Sequence, residues 1–338
     1  STWNLIIMRT FFMGLPAELD SVPMPSGGNW GNAVMGMQIA YGVTNTKSYV
    51  DAWTGEFIPY GYTQDGFREA LKWTNTFYKE RFMDPEFATS NDNRRTEFFA
   101  NGKAYIEYQY VESALWAETT MKPLFPDVDW EFTGYNISVD PSKGYLYQRD
   151  NTFFAYGYAF TDKISDEGLA RMLDWCDYIS TDEGATFMCM GVEGVTYQKN
   201  ADGTLQFMDH MYHATRNPEG TQPWKYGMYM GILRQTEDYT REVGKDANLV
   251  VSAAFNSDPN AHYSPAFPTA YTPDQESRLA TLDTQIGDMA EEYILKFIMS
   301  QLDPNDDNAW SQYLAALDNA GIQEASQIRI ESYKKVSQ

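Results

Sequence analysis

Between Ser165 and Tyr197 the chain commits to two helices in direct succession and a glycine-flanked exit, SDEGLARMLDWCDYISTDEGATFMCMGVEGVTY. Leu169, Met172, Leu173, Cys176 and Ile179 recur at helical spacing, so one face of the first helix is apolar. Ser165 can accept from the first free amides, and Asp166 and Glu167 stand where the helix dipole favours negative charge. Thr181 restarts a second short helix with Asp182 and Glu183 in its first turn. Gly191 falls where a helix closes on a left-handed residue, and Val192–Tyr197 leaves it as a tight, partly extended turn. Upstream, Phe153–Phe160 reads as a buried strand closed by Thr161-Asp162-Lys163.

The tail is equally explicit. Thr272-Pro273-Asp274-Gln275 is a capping box with proline at the first helical position. Leu279, Leu282, Ile286, Met289, Tyr293, Ile294, Phe297 and Ile298 then keep spacings of three and four for about six turns. A final helix pair carries Trp310, Tyr313, Leu314 and Leu317, a stop at Gly321, then Ile322, Ile328 and Tyr333. Earlier, residues up to Tyr62 are rich in turns and aromatics, and Trp53–Ile58 reads as a hairpin turning at Gly55. Asp65 is expected to cap a helix running to about Phe82, with Phe67, Ala70, Leu71, Thr74, Phe77, Tyr78 and Phe82 as its buried stripe. Pro85 is expected to end it, because proline disfavours helix in the preceding residue. A helix through Phe98-Phe99 stops at Asn101-Gly102, and Lys103–Tyr108 alternates like a strand. Asn200-Ala201-Asp202-Gly203-Thr204 signals a second hairpin, followed by loops at 217–220 and 223–227.

The strand, the T-D-E-G helix start and the G-V-E-G-V-x-Y exit together resemble the crossover region of extracellular solute-binding proteins of bacterial carbohydrate importers. The group including the LplA-like and alginate-binding lipoproteins is the one it resembles. Y-K-E-x-x-x-D-P-E, F-A-N-G-K-A and the C-terminal F-I-M-S … W-x-x-Y-x-x-x-L-x-x-x-G-I pattern extend the resemblance from roughly Tyr62 to Tyr333. It implies an α/β fold of the periplasmic-binding-protein type (type II), with two lobes and a helical C-terminus. Residues 1–148 would be a second-lobe segment, 149–235 the crossover and a first-lobe segment, and 236–338 helices packing back on the lobes. The opening strand-helix units, signal peptide and lipidated cysteine of the family have no counterpart in the sequence. A trimmed chain with an incomplete first lobe is therefore expected.

The implied function is reversible capture of a carbohydrate, in the manner of a hinge-closing monomer, and delivery to an importer permease from an extracellular, lipid-anchored position. No bond is made or broken and no cofactor is called for. Two other readings stay open: a carbohydrate-active enzyme such as a glycosidase, and a non-catalytic interaction domain.

Composition narrows the partners. With 47 acidic against 25 basic residues the net charge is −22, which argues against nucleic acid and anionic membrane. Two cysteines, Cys176 and Cys189, make neither a disulfide framework nor a thiolate metal site, and Cys176 is expected buried. No stretch of the sequence is apolar for the 18 residues a membrane span needs. Asp209-His210 with His213 lacks a third zinc ligand within reach by sequence. Asp303, Asn305 and Asp307 match the start of a calcium loop, but Asn308 and Leu314 break it, leaving a loop that caps the Trp310 helix. No metal is expected. Asn136-Ile137-Ser138 fits a glycosylation sequon by chance as easily as by use. The chain contains no G-x-S-x-G elbow, phosphate loop or dinucleotide fingerprint.

Glycosidic chemistry needs two carboxylates across a cleft, and among 47 acids no pair is singled out by spacing. Glu193 is the acid of interest, because glycines flank it on a turn that the resemblance places at the cleft; its alternative is to accept from neighbouring amides. Of the loop tryptophans, Trp30, Trp53, Trp116, Trp130 and Trp224, some are expected to stack on sugar rings and others to pack between elements. Trp73, Trp175 and Trp310 sit on periodic helix faces and are expected in cores. The predicted ligand-binding set is Trp30, Trp116, Glu193, Trp224 and Tyr226.

Overall fold

The computed structural model describes residues 9–15, 30–106, 145–147, 159–212, 220–228, 236–239, 261–263 and 269–337, with single positions at 22, 24, 124, 126, 217, 242 and 267. Residues 153–158 of the expected 153–160 strand, the end of the 103–108 segment, Trp116, Trp130, Asn136 and His213 lie outside the described residues. The chain divides into two compact units. One comprises 1–109, 135–149 and 258–338, the other 110–134 and 150–257.

The first unit is built on the Pro273–Ile298 helix. Its N-terminus is the expected capping box: Thr272 accepts from the Gln275 amide, and the Gln275 side chain accepts from the Thr272 amide. Leu279, Leu282, Ile286, Ile294, Phe297 and Ile298 are buried, while Met289 and Tyr293 pack partly exposed against the same core. That core also takes Phe67, Ala70, Leu71 and Phe77 from the Asp65–Lys79 helix and Trp310, Tyr313 and Leu317 from the Asp307–Asn319 helix. Helix C-termini leave carbonyls without partners. Here buried Asn75 donates to the carbonyls of Phe297 and Ile298 at 2.8 and 3.1 Å. The Ile322–Val336 helix is tied in by Arg329, whose guanidinium donates to both oxygens of Asp283 at 2.7 and 2.6 Å and to Ser48 at 3.0 Å. Tyr60 donates its hydroxyl to the same carboxylate.

Strands are short. Tyr49–Val50 pairs antiparallel with Phe57–Ile58 around the expected turn, and Tyr145–Tyr147 pairs parallel with Ala261–Tyr263. Three expectations in this unit are corrected. Asp65 is the first helical residue, and the cap position belongs to Gln64, which makes no side-chain cap. The helix ends at Lys79, well before Pro85, because Arg81 turns left-handed (φ 62°) and returns the Phe82 amide to the Phe77 carbonyl. This reversal drops Phe82 onto Phe12 and Phe77. Lys103–Ile106 forms no strand, and the Lys103 carbonyl accepts from Val22 instead of a ladder neighbour. The Asp92–Ala100 helix stops at Asn101 as expected, with Asn91 as its cap.

The second unit holds the Asp166–Ser180 and Asp182–Met190 helices. Ser165 and Thr181 cap them by accepting from the amides of Gly168 and Gly184. Tyr197–Lys199 and Leu205–Phe207 form the expected hairpin. Its second strand donates the Leu205 and Phe207 amides to Asp238 and buried Glu242. Cys189, Met190, Phe207, Met211, Met228 and Tyr239 make the core. The apolar stripe of the first helix behaves differently from expectation. Only Ile179 is buried, Cys176 and Trp175 are half-buried, and Leu173 is 49 % exposed. No described helix of either unit is long and apolar enough to cross a membrane.

Candidate functional site

The exit turn after Met190 is the most tightly specified piece of the second unit. Gly191 adopts φ 86° and ψ −127°, a conformation beyond the ordinary left-handed helical region that side chains avoid. A Cβ there would come within 2.3 Å of the Thr196 hydroxyl and 2.7 Å of the Met228 sulfur. Thr196, 2 % exposed, closes the turn: its hydroxyl donates to the Met190 carbonyl at 2.6 Å and accepts from the Val192 amide at 2.7 Å. The Gly194 amide donates to the Tyr197 carbonyl at 2.7 Å, so Glu193 sits at the tip of a loop fixed at both ends.

Beside this turn runs a 3₁₀ segment, Pro223–Tyr226, which the sequence reading leaves as a loop. It is anchored by the Met211–Thr221 bridge, with amide-to-carbonyl bonds from Tyr212 to Thr221 and from Thr221 to His210. The Tyr226 ring meets the His210 ring edge at a centroid distance of 6.2 Å. Turn and segment enclose a pocket of about 110 Å³. Phe187, Met188, Val192, Val195, Tyr226 and Met228 supply its side chains, and Gly191, Thr196 and Gly227 complete the wall.

Of the five residues expected to bind ligand, Tyr226 lines this pocket and is 47 % exposed. Glu193 is exposed on the turn whose Val192 and Val195 line the same pocket, and it is not consumed as a cap for buried amides. Its charge contributes to a raised Tyr197 pKa, behind the larger effect of burial. Trp224, 60 % exposed, stands two residues before Tyr226 but does not line the pocket. Trp30 begins the Trp30–Ala40 helix of the other unit, and neither its side chain nor Trp116 is among the described residues. Trp53, also in that unit, packs its ring against Gly42. Sequence reasoning missed Thr196, Phe187 and Val195. The signal for Thr196 was present: a threonine five residues after the helix-ending glycine can reach back to both chain ends.

Among the described residues no group of three or more His, Cys, Asp or Glu side chains could hold an ion, and His213 of the zinc alternative lies outside them. Asp303 spends its carboxylate on the amide and side chain of Asn305, both at 2.9 Å, and these bonds, the backbone one first, hold its pKa below the usual value. Asp306 caps the following helix, and Asp307 pairs with Arg68 at 2.8 Å.

No family model matches the sequence, and a search of curated proteins finds no match. Solved structures do match. The alginate-binding protein AlgQ2 superposes over 98 % of this chain and 67 % of its own, at TM-score 0.72 and 18 % identity. An EF-hand mutant of the Streptococcus pneumoniae ABC-transporter substrate-binding protein FusA, in complex with fructo-nystose, covers 100 % and 68 % at TM-score 0.68 and 16 % identity. The S. pneumoniae N-glycan transport solute-binding protein NgtS covers 99 % and 68 % at TM-score 0.56 and 14 % identity. The fold is therefore that of the type II periplasmic-binding-protein class, and the chain spans about two-thirds of the length of these neighbours.

Proposed function

We propose that this chain belongs to a protein that captures a carbohydrate and delivers it to the permease of an ABC importer, binding reversibly without catalysis. The observation that carries this reading is the fold likeness over essentially the whole chain to an alginate-binding protein, a substrate-binding protein in complex with fructo-nystose and an N-glycan transport protein. In this reading the unit with the C-terminal helices is the second lobe, and the other unit supplies part of the first. The intact protein is an extracellular monomer held to the membrane by a lipid anchor. Glu193, Trp224 and Tyr226 fit the chemistry of sugar recognition. An exposed carboxylate accepts from paired hydroxyls, and aromatic faces cover the C–H face of a pyranose at little entropic cost. Trp30 and Trp116 remain in the proposed set as further ring platforms.

The test is saturation-transfer NMR of the chain with a panel of neutral disaccharides and trisaccharides, repeated on Glu193→Gln. Sugar signals should appear, and the variant should weaken them several-fold while its melting temperature stays within about 2 °C, the shift expected of a surface change. An unchanged affinity in Glu193→Gln removes that residue from the site. A panel with no binder removes the function.

A further inference from the structure

The pocket beneath the Glu193 turn has a chemistry that narrows the ligand, given the carbohydrate-binding reading. At about 110 Å³ it is well below the roughly 300–1,000 Å³ of a site enclosing a whole small molecule. It can admit one substituent of a sugar, not a ring. Among the described residues its side chains are apolar apart from the phenol of Tyr226 and the hydroxyl of Thr196.

The backbone amides and the Thr196 hydroxyl of the wall are already spoken for. The Gly191 amide donates to Phe187, the Val195 and Thr196 amides to Val192, and the Gly227 amide to Trp224, at 2.9–3.0 Å. The Val192 amide and the Thr196 hydroxyl are engaged with each other and with Met190. A sugar hydroxyl pushed inside would give up water for a wall with its amide donors committed, and a buried polar group without a partner is penalised. A methyl group has no such cost and gains apolar burial against Phe187, Val192 and Val195, which are otherwise 48–50 % exposed. Glu193 and the Trp224 ring are exposed, as contacts with sugar hydroxyls and a ring face require.

We propose that this pocket is a specificity subsite for a methyl-bearing sugar, either the acetamido methyl of an N-acetylhexosamine or the C6 methyl of a 6-deoxyhexose. The test uses the full chain with two matched pairs, di-N-acetylchitobiose against cellobiose and L-fucose against L-galactose, by saturation-transfer NMR and titration. The methyl-bearing member should bind about tenfold tighter, the scale of one apolar group in a fitted pocket, and its methyl protons should carry the largest saturation. Preference in the first pair alone assigns the acetamido group, and in the second alone the 6-deoxy group. Val195→Phe, made at a half-exposed position, should fill the pocket and bring the ratio close to one. Equal affinities within both pairs in the unmodified chain, or a preference that survives in a folded Val195→Phe variant, would overturn the subsite and leave the carbohydrate reading standing. Absence of binding by all four sugars would overturn both.

Discussion

Leu282 and Gly321 test whether the C-terminal helices are locked by one close contact. Leu282 is 1 % exposed at the middle of the Pro273–Ile298 stripe. Gly321 begins the Ile322–Val336 helix at φ 95°, and a Cβ on it would lie 2.6 Å from a Leu282 methyl. Leu282→Ala removes apolar burial and leaves a cavity, for a loss of about 2–5 kcal/mol. Gly321→Ala should cost about 1–2 kcal/mol for a non-glycine residue at positive φ. Crowding of Leu282 adds about 1–3 kcal/mol, the usual range for overpacking. In the Leu282→Ala background the crowding vanishes but the backbone strain does not. Gly321→Ala should there cost only the first part, so the double mutant is less unstable than the sum by about 1–3 kcal/mol, well above the scatter of additive sites. Urea melts followed by far-ultraviolet circular dichroism supply the four free energies. If Gly321→Ala costs the same in both backgrounds, the two residues do not touch and the packing described for this corner is wrong.

Two further outcomes follow from the polar core of the same unit. Asp283→Asn leaves the buried Arg329 guanidinium without its anion and should destabilise by about 3 kcal/mol; a loss under 1 kcal/mol in the same melts would mean that solvent replaces the carboxylate. Tyr49, Tyr60 and Tyr62 have pKa values raised chiefly by burial, so the folded state favours the neutral phenol. Their contribution is therefore full below about pH 10, the unfolded tyrosine value, and is lost as pH rises toward the folded values. The melting temperature should fall between pH 10 and 12, and tyrosinate absorbance should lag that of the unfolded chain. A flat melting profile over that range would refute the burial of these rings.

What the sequence determined by itself is local. Ser165, Thr181 and the Thr272–Gln275 box mark helix starts because an N-cap acts on amides two or three residues away. The hairpins at 49–58 and 197–207 were legible for the same reason, since turn residues set their register. The stripe of the Pro273–Ile298 helix was legible because about six turns of one period leave a single face to bury. Fold class was legible through resemblance, and the structural neighbours bear it out. Where two distant segments compete, only the tertiary structure decided. The Asp65–Lys79 helix stops at a non-glycine residue because Phe82 is drawn onto Phe12, a contact invisible in local spacing. The Asp166–Ser180 stripe reads as a core face, yet burial depends on a facing surface, and only Ile179 is buried. Glu193 was picked from its flanking glycines, but the pocket beneath it exists because the 223–226 segment folds beside a turn thirty residues earlier. Arg329, Asp283 and Tyr60 are 46 and 223 residues apart in sequence, and no periodicity links them. A buried charge finds its partner only when the chain has already folded.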